Sequence, residues 1–201
     1  MSFYSKHILP KFLDITMKSD MFDAHRKSTT ATAKGVVLEI GSGSGLNFRY
    51  YKGISKLFAL EPSREMHLLA KENMKELTFP VEYIESGAED IPLPDASVDS
   101  VVSTWTFCTI PHPEKALAEI RRVLKPGGSF SFVEHGLSPR PFLSKLQSFI
   151  TPAFKRISGG CHLDRDIERL IRGSDLNIER IEKFPIKLKP LNYMYKGFAT
   201  R

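Results

Sequence analysis

The sequence predicts an α/β protein built on one doubly wound, mostly parallel sheet, and three features of the chain predict it. Short apolar runs rich in β-branched residues recur between residues 36 and 133, the signature of strands buried on both faces. Between them lie stretches whose apolar residues fall at helical spacing. Strand alternating with helix at this interval requires parallel pairing, with helices on both faces of the sheet. Beyond residue 136 the alternation gives way to helices and two closing strand-like stretches, which bring the strand count to seven.

Taken in order, residues 3–25 carry scattered aromatics (Phe3, Tyr4, Phe12, Phe22) and read as a helical extension. The Thr/Ser/Ala-rich segment Lys27 to Lys34 reads as a weakly structured connection. Val36 to Ile40 is the first strand, ending in a glycine cluster, and Leu57 to Leu60 the second. Ser63 is placed as a helix cap, with Met66, Leu69, Ala70 and Leu77 on one face of the helix it starts. Val81 to Ile84 and Val98 to Ser103 are strands three and four. Residues 114–124 form an amphipathic helix with apolar positions 116, 117, 120, 123 and 124. Lys125-Pro126-Gly127-Gly128 stops it ahead of a fifth strand, Phe130 to Val133. Phe142, Leu143, Leu146, Phe149, Ile150, Ala153 and Ile157 then line one side of a helix that Pro152 is expected to kink or end. A short helix near Asp164 to Arg172 precedes the last strands, near Ile178 to Phe184 and Tyr193 to Thr200. The 201 residues read as one domain: an extension over 1–34, a core over 35–135, and lid helices with closing strands over 136–201.

Composition narrows the function classes. With 41% hydrophobic and 26% charged residues the chain is an ordinary globular one, and 13 Gly with 13 Pro exclude a fibrous or low-complexity chain. The two cysteines, Cys108 and Cys161, cannot staple a scaffold, and neither stands in a paired zinc spacing, so no metal is expected. Reduced thiols and a cytoplasmic location are the matching expectation. No run approaches the roughly 18 apolar residues of a membrane span. Lys6, His7, Lys11 and Asp14 interrupt the amino terminus, so no secretory leader is expected. The formal net charge of +6 suits nucleic acid, an anionic surface or a mildly basic enzyme alike.

The most informative segment is Glu39-Ile40-Gly41-Ser42-Gly43-Ser44-Gly45, at the end of the first strand. Alternating glycines allow a sharp turn and let a ligand approach where a β-carbon would block it. The turn is expected to feed a helix, whose free N–H groups favour an anionic group. Dinucleotides and S-adenosylmethionine both suit such a place. A dinucleotide fingerprint needs a small residue where this chain has the bulky Leu46.

With strictly alternating glycines and Glu39 two places ahead, the segment resembles motif I of the class I S-adenosylmethionine-dependent methyltransferases. The resemblance implies that Gly41, Ser42, Gly43 and Gly45 wrap the methionine part of the cofactor and that Glu39 helps to orient its ammonium group. Twenty residues beyond Gly41 stands Glu61, in Leu60-Glu61-Pro62-Ser63-Arg64-Glu65-Met66. A carboxylate there can accept from both ribose hydroxyls, and the family likeness adds Pro62 and Met66 beside the adenine. For Gly87-Ala88-Glu89-Asp90-Ile91-Pro92-Leu93-Pro94-Asp95 the resemblance implies a backbone that faces the adenine edge; where members often carry an acid this chain has Gly87, with Glu89 or water as the expected substitute. Arg121-Arg122-Val123-Leu124-Lys125-Pro126-Gly127-Gly128 matches the family's helix stop, and Thr104 at the end of strand four completes the cofactor set. The likeness covers roughly residues 36–134 and implies the Rossmann-like methyltransferase sheet, seven-stranded with a C-terminal antiparallel strand.

Acceptor groups are expected where strands four and five end. Thr104-Trp105-Thr106-Phe107-Cys108 lacks the Asn/Asp-Pro-Pro-aromatic signature of enzymes that methylate amino groups of DNA bases or glutamine, so no nucleic-acid partner is expected. Trp105 and Phe107 either flank an apolar acceptor or fill the core. His135, in Val133-Glu134-His135-Gly136 and just outside the sheet, is the candidate catalytic base near neutral pH; its other reading is to orient a loop or bond Glu134. Transfer from a sulfonium needs no enzyme nucleophile, so Cys108 reads as a buried thiol.

Glu134-His135, Phe154-Lys155-Arg156-Ile157, Gly159-Gly160-Cys161-His162-Leu163-Asp164-Arg165 and Leu46-Asn47-Phe48-Arg49-Tyr50-Tyr51 are similar to the small alkyl-thiol S-methyltransferase branch. That branch methylates small hydrophobic thiols; its usual N-terminal membrane anchor is not matched here. His162 is a second candidate polar group, or a cap of the neighbouring helix. Residues 142–157 either cover the sheet or form a lid that, with Lys145, Lys155 and Arg156, touches anionic lipid. The expected activity is methyl transfer from S-adenosylmethionine to a small, apolar thiol, hydroxyl or activated carbon. A quinone- or lipid-type acceptor and a silent cofactor-binding module are the alternatives.

Overall fold

The computed structural model describes residues 14–186 and 193–201; the expected helical aromatics Phe3, Tyr4 and Phe12 lie outside the described residues. Seven strands form one sheet: β1 Gly35–Ile40, β2 Ile54–Leu60, β3 Val81–Ile84, β4 Val98–Thr104, β5 Leu124–Gly136, β6 Asn177–Pro185 and β7 Tyr193–Thr200. Their spatial order is β3-β2-β1-β4-β5-β7-β6. β7 runs antiparallel to both its neighbours, and the other pairs are parallel. Successive side chains of a strand point to opposite faces. Leu38 and Ile40 therefore pack with Val101, Leu117, Ile120 and Phe130. Val37 packs on the other face with Leu57, Ala59, Phe48, Tyr51 and Val102.

Among the described residues the complete helices are α1 Asp20–Thr30, α2 Arg64–Ala70, α3 Pro113–Val123, α4 Pro141–Ile157 and α5 Ile167–Arg172. Several boundaries differ from the sequence reading. Lys27 to Thr30 are helical, the hydroxyls of Ser28 and Thr30 being satisfied by the carbonyls of Ala24 and Arg26, at 2.8 and 3.0 Å. Thr32 Oγ1 then pairs with Ser131 Oγ at 2.6 Å, which pins the connection to β5. Ser63 does cap α2, its hydroxyl accepting from Met66 N at 3.3 Å. The helix passes into a 3-10 turn at Lys71–Met74, however, and leaves Leu77 beyond it, still packed on the same cluster. Asp166 caps α5, accepting from Arg169 N, so that helix starts later than Asp164 and His162 is not its cap.

β5 is longer than expected at both ends. Val98 pairs with Leu124 and Ser100 with Ser129, so Lys125 to Gly128 bulge out of a strand that has already begun. β7 supplies ladder partners for Glu134, His135 and Gly136, which makes His135 part of the sheet's end and not a residue outside it.

The largest departure is α4. Pro152 lies inside it without ending it. Its apolar side does not cover the sheet: Phe142 is 78%, Phe149 84% and Ile157 63% exposed, while the residues buried from this helix are Gln147 and Thr151. Unpaired backbone polar groups decide this orientation. Gln147 Oε1 accepts from Ser138 N at 2.7 Å and its Nε2 donates to Gly136 O at 3.0 Å, which satisfies the chain where it leaves β5. Leaving those groups unpaired would cost about 1–3 kcal/mol each, enough to turn the helix. Among the described residues no helix is long and apolar enough to cross a membrane. Gln147→Leu is expected to lower the unfolding free energy by about 2–4 kcal/mol, whereas Phe149→Ser should change it by less than about 0.5 kcal/mol. Denaturant unfolding of both variants checks this, and a larger loss from Phe149→Ser would contradict the orientation.

Candidate functional site

The order of the sheet reverses at β1, since β2 leads away on one side and β4 on the other. In open α/β sheets the crevice beyond the carboxyl ends of strands at such a switch point is where ligands bind. The glycine turn leaves β1 there. Gly41 and Gly45 are dictated by packing: both have positive φ, and a β-carbon would lie 2.3 Å from Thr106 Cγ2 and 2.5 Å from the Phe48 ring, respectively. Gly43, at φ +54°, has a different surrounding; its nearest side-chain neighbour is Met66 Cε at 3.3 Å. The turn leads into a three-residue 3-10 segment, Phe48–Tyr50, and not into an α-helix. The expectation of an anion held by a helix N-terminus therefore falls away.

Glu61 joins this turn to the end of β2. Its Oε2 accepts from Gly43 N at 3.1 Å and its Oε1 from Ser63 N at 3.0 Å. Burial raises its pKa above the ordinary carboxylate value, opposed by these two N–H donors. Each oxygen keeps a free lone pair. Met66 stands half-buried across from Gly43, and Pro62 is exposed beside it. After β3, Ala88 is buried, and Glu89 Oε2 lies 3.0 Å from where a β-carbon on Gly87 would be. Glu89 Oε1 accepts from His112 N at 3.1 Å. The Glu89 carboxylate thus occupies the space in which a residue-87 side chain would begin. Ser42 Oγ is buried and has no hydrogen-bonding partner among the described residues.

Glu39 sits deeper. Its oxygens accept from Asn47 Nδ2 and Tyr51 Oη, both at 2.8 Å. Asn47 also donates to Thr104 Oγ1 at 3.0 Å and accepts from Arg26 at 2.8 Å. The structure therefore brings Gly43, Glu61 and Met66 together at the switch point, sets Gly87 and Glu89 on the loop after β3, and puts Glu39 and Thr104 in a buried network through Asn47. Arg26 escaped the sequence reading, and Asn47 and Tyr51 entered it only within the segment Leu46-Asn47-Phe48-Arg49-Tyr50-Tyr51, with no role assigned.

The ends of β4 and β5 are held by Glu134, fully buried. Its Oε1 accepts from Ser103 Oγ at 2.6 Å, and its Oε2 from the N–H groups of Thr106 and Phe107 at 2.8 and 3.1 Å. His135 does not bond Glu134. Its Nε2 lies 3.0 Å from Cys161 Sγ, and its Nδ1 is buried without a partner among the described residues. Cys108 is buried and Cys161 partly so. A hydrogen bond from Cys108, with His135 alongside, lowers the Cys161 thiol to about 5, while the same bond raises Cys108. Phe107 fills the core, whereas Trp105, at φ +54°, packs edge-on to Phe22 with ring centroids 4.9 Å apart, under Arg26. A concavity of about 550 Å³ between α3 and α5 includes none of the expected cofactor residues; one of about 270 Å³ borders the turn at Gly45 and Leu46.

Burial pushes Glu39 and Glu134 each up to about 7. The folded chain then holds protons on them that the unfolded chain, at its ordinary value near 4.5, has released. Their contribution to stability is complete below that ordinary value and is lost as pH rises through about 7. Comparing native protein with Glu39→Gln by unfolding from pH 5 to 8 isolates one of them. The native protein's advantage over the variant should shrink as pH rises, and a difference that does not change with pH would contradict the assignment.

Residues 38–132 match a family described as a methyltransferase domain. Thiol S-methyltransferase TMT1B of Homo sapiens is 31% identical over 176 residues, which cover 86% of this chain and 72% of that protein. Phosphatidylethanolamine N-methyltransferase of Cereibacter sphaeroides is 29% identical over 154 residues, 76% of this chain and 74% of that one. The solved structure of geranyl diphosphate methyltransferase in complex with S-adenosylmethionine shares the fold, with a TM-score of 0.70 at 16% identity over 89% of this chain and 84% of that chain. With its glycine turn at the switch point and relatives at this identity and coverage, the chain belongs to the S-adenosylmethionine-dependent methyltransferases, on the branch similar to the thiol S-methyltransferases.

Proposed function

We propose that this methyltransferase acts on a small apolar thiol, holding S-adenosylmethionine between the glycine turn and Glu61. The observation that carries the cofactor part is Glu61 itself: a half-buried carboxylate at the end of β2, fixed by Gly43 and Ser63, with lone pairs to spare. The residues present fit the cofactor. Ser42 Oγ has no partner among the described residues, and Gly43 lacks the β-carbon that would stand 3.3 Å from Met66 Cε. In this reading the backbone of Gly41 to Gly45 receives the methionine part, Glu61 takes the ribose hydroxyls, and Pro62 and Met66 flank the adenine. Glu89, standing where a side chain at 87 would start, accepts from the adenine amino group, with Ala88 against the ring edge. Glu39 and Thr104 act from below, fixing the turn through Asn47.

Bound S-adenosylmethionine supplies an activated methyl group, so alignment of the acceptor accounts for most of the rate. An acceptor thiol must first lose its proton. His135, at the rim formed by β4 and β5, is the group assigned to that task. The thiol reading draws on the similarity to thiol S-methyltransferase TMT1B and on the resemblance of the Gly159 to Arg165 segment to that branch. A lipid-type acceptor is the second reading. It is favoured by the outward apolar side of α4, where Phe142 and Phe149 stand beside exposed Lys145 and Arg156.

Glu61→Ala should weaken S-adenosylmethionine binding at least about tenfold in calorimetry, the loss expected for a pair of hydrogen bonds to a charged group. Unchanged affinity would remove Glu61 from the ribose. Glu89→Ala should cost less, about three- to tenfold, the worth of a single ordinary hydrogen bond. Release of S-adenosylhomocysteine across a panel of alkyl thiols, quinols and phospholipid amines tests the acceptor. Turnover confined to the thiols is the expected result; turnover on the lipids alone would establish the second reading.

A further inference from the structure

We propose that Cys108, His135 and Cys161 form a site for a thiophilic divalent cation of the zinc class, its fourth position left to the acceptor thiol. The metal site stands on its own geometry; the role of its fourth position rests on the thiol reading above. One sulfur or nitrogen atom from each of the three residues lies within 4.8 Å of the others, and His135 Nε2 and Cys161 Sγ are 3.0 Å apart. Around a tetrahedral zinc ion, with Zn–S about 2.3 Å and Zn–N about 2.0–2.1 Å, donor atoms stand roughly 3.4–3.8 Å from one another. The cluster therefore needs only small side-chain rotations to enclose an ion.

The three donors come from different elements that the fold ties together. Cys108 follows β4, His135 ends β5, and Cys161 lies between α4 and α5. His162 N donates to Cys108 O at 2.8 Å, which sets Cys161 beside Cys108. Arg165 donates to the carbonyls of Phe107 and Ile110, and its own carbonyl accepts from Leu137 N at 2.8 Å. Gly136 permits this approach, since a β-carbon there would lie 2.4 Å from Arg165 O. The loop bearing Cys161 is thus bonded to both strand ends that carry the other donors. With residues 108, 135 and 161 so far apart in the chain, no ligand spacing marked them, which is why the sequence led to the expectation of no metal.

Two thiolates and an imidazole select zinc-like ions over magnesium or calcium. Three protein ligands with one position open is the arrangement of catalytic rather than structural zinc. The cluster also lies on the rim where Thr106 packs against Gly41 of the turn. A thiol that takes the open position is deprotonated, its proton passing to water. Its sulfur then forms the new bond to the methyl carbon as the bond from that carbon to the sulfonium breaks. The thiolate's negative charge and the sulfonium's positive charge cancel, leaving a neutral thioether and S-adenosylhomocysteine. In this arrangement His135 acts as a ligand, and the metal does the work otherwise given to a base.

The test is a titration of the reduced, metal-free full-length chain with Co²⁺, followed by displacement with Zn²⁺. One equivalent should give the thiolate-to-cobalt charge-transfer band and the visible bands of a tetrahedral ion. Cys161→Ser, on a partly exposed loop, is the variant least able to disturb the fold, and S-adenosylmethionine calorimetry confirms its integrity. It and His135→Asn should each lose more than the about 10–100-fold in metal affinity that follows removal of an outer-shell partner. Absence of a thiolate–cobalt band, or parent-like affinity in both variants, would overturn the site. So would a Cys108–Cys161 disulfide in the isolated protein that, once reduced, binds no metal. Thiol methylation assayed on the same metal-free and reloaded samples separates the two claims. Metal binding without thiol turnover leaves the site and overturns its acceptor role; full turnover without metal overturns that role while sparing the thiol reading.

Discussion

The paired hydrogen bonds that Glu61 receives from Gly43 and Ser63 organise the catalytic end of this molecule. A carboxylate buried in a protein is costly unless its oxygens find donors, and here the donors are backbone groups of the two loops that must be shaped. Parallel pairing of β1 with β2 sets Ile40 beside Leu60. The glycine turn and Glu61 therefore leave the sheet side by side. Shifting that register would separate them and undo the crevice, whatever the remainder of the chain did.

The same device recurs along the rim. Glu39 in β1 draws Asn47 and Tyr51 down onto itself, Glu61 follows β2, and Glu134 near the end of β5 gathers Ser103, Thr106 and Phe107. Each carboxylate fixes the loop that follows its own or a neighbouring strand. Together they hold backbone in conformations that hydrophobic packing alone would not specify, including the positive φ of Trp105. Precision at the site comes from buried polar groups, and mass from the apolar layers beneath them.

This division explains what could be read from the sequence. The strands were legible because β1, β2 and β4 are largely buried on both faces and leave short, mostly apolar runs such as Val36 to Ile40, interrupted only by Glu39. The glycine turn was legible because positive φ and close packing restrict residue type at Gly41 and Gly45. The orientation of α4 was not, since an apolar stripe says nothing about the polar groups that Gln147 must satisfy at Gly136 and Ser138. Long-range juxtapositions were equally hidden. Arg26 meets Asn47, and Cys161 meets His135, only because separate elements are bonded together. Glu39 shows both sides: its place two residues ahead of the glycines was legible, while its partners, Asn47 and Tyr51, were not.

A crystal structure of the protein with S-adenosylhomocysteine bound puts the central claim to the most direct test. The nucleoside is expected in the crevice beside Gly43 and Met66, with its ribose hydroxyls on the Glu61 carboxylate and its purine near Ala88 and Glu89. A nucleoside seated instead in the cavity between α3 and α5, or one in the crevice that makes no contact with Glu61, would contradict it.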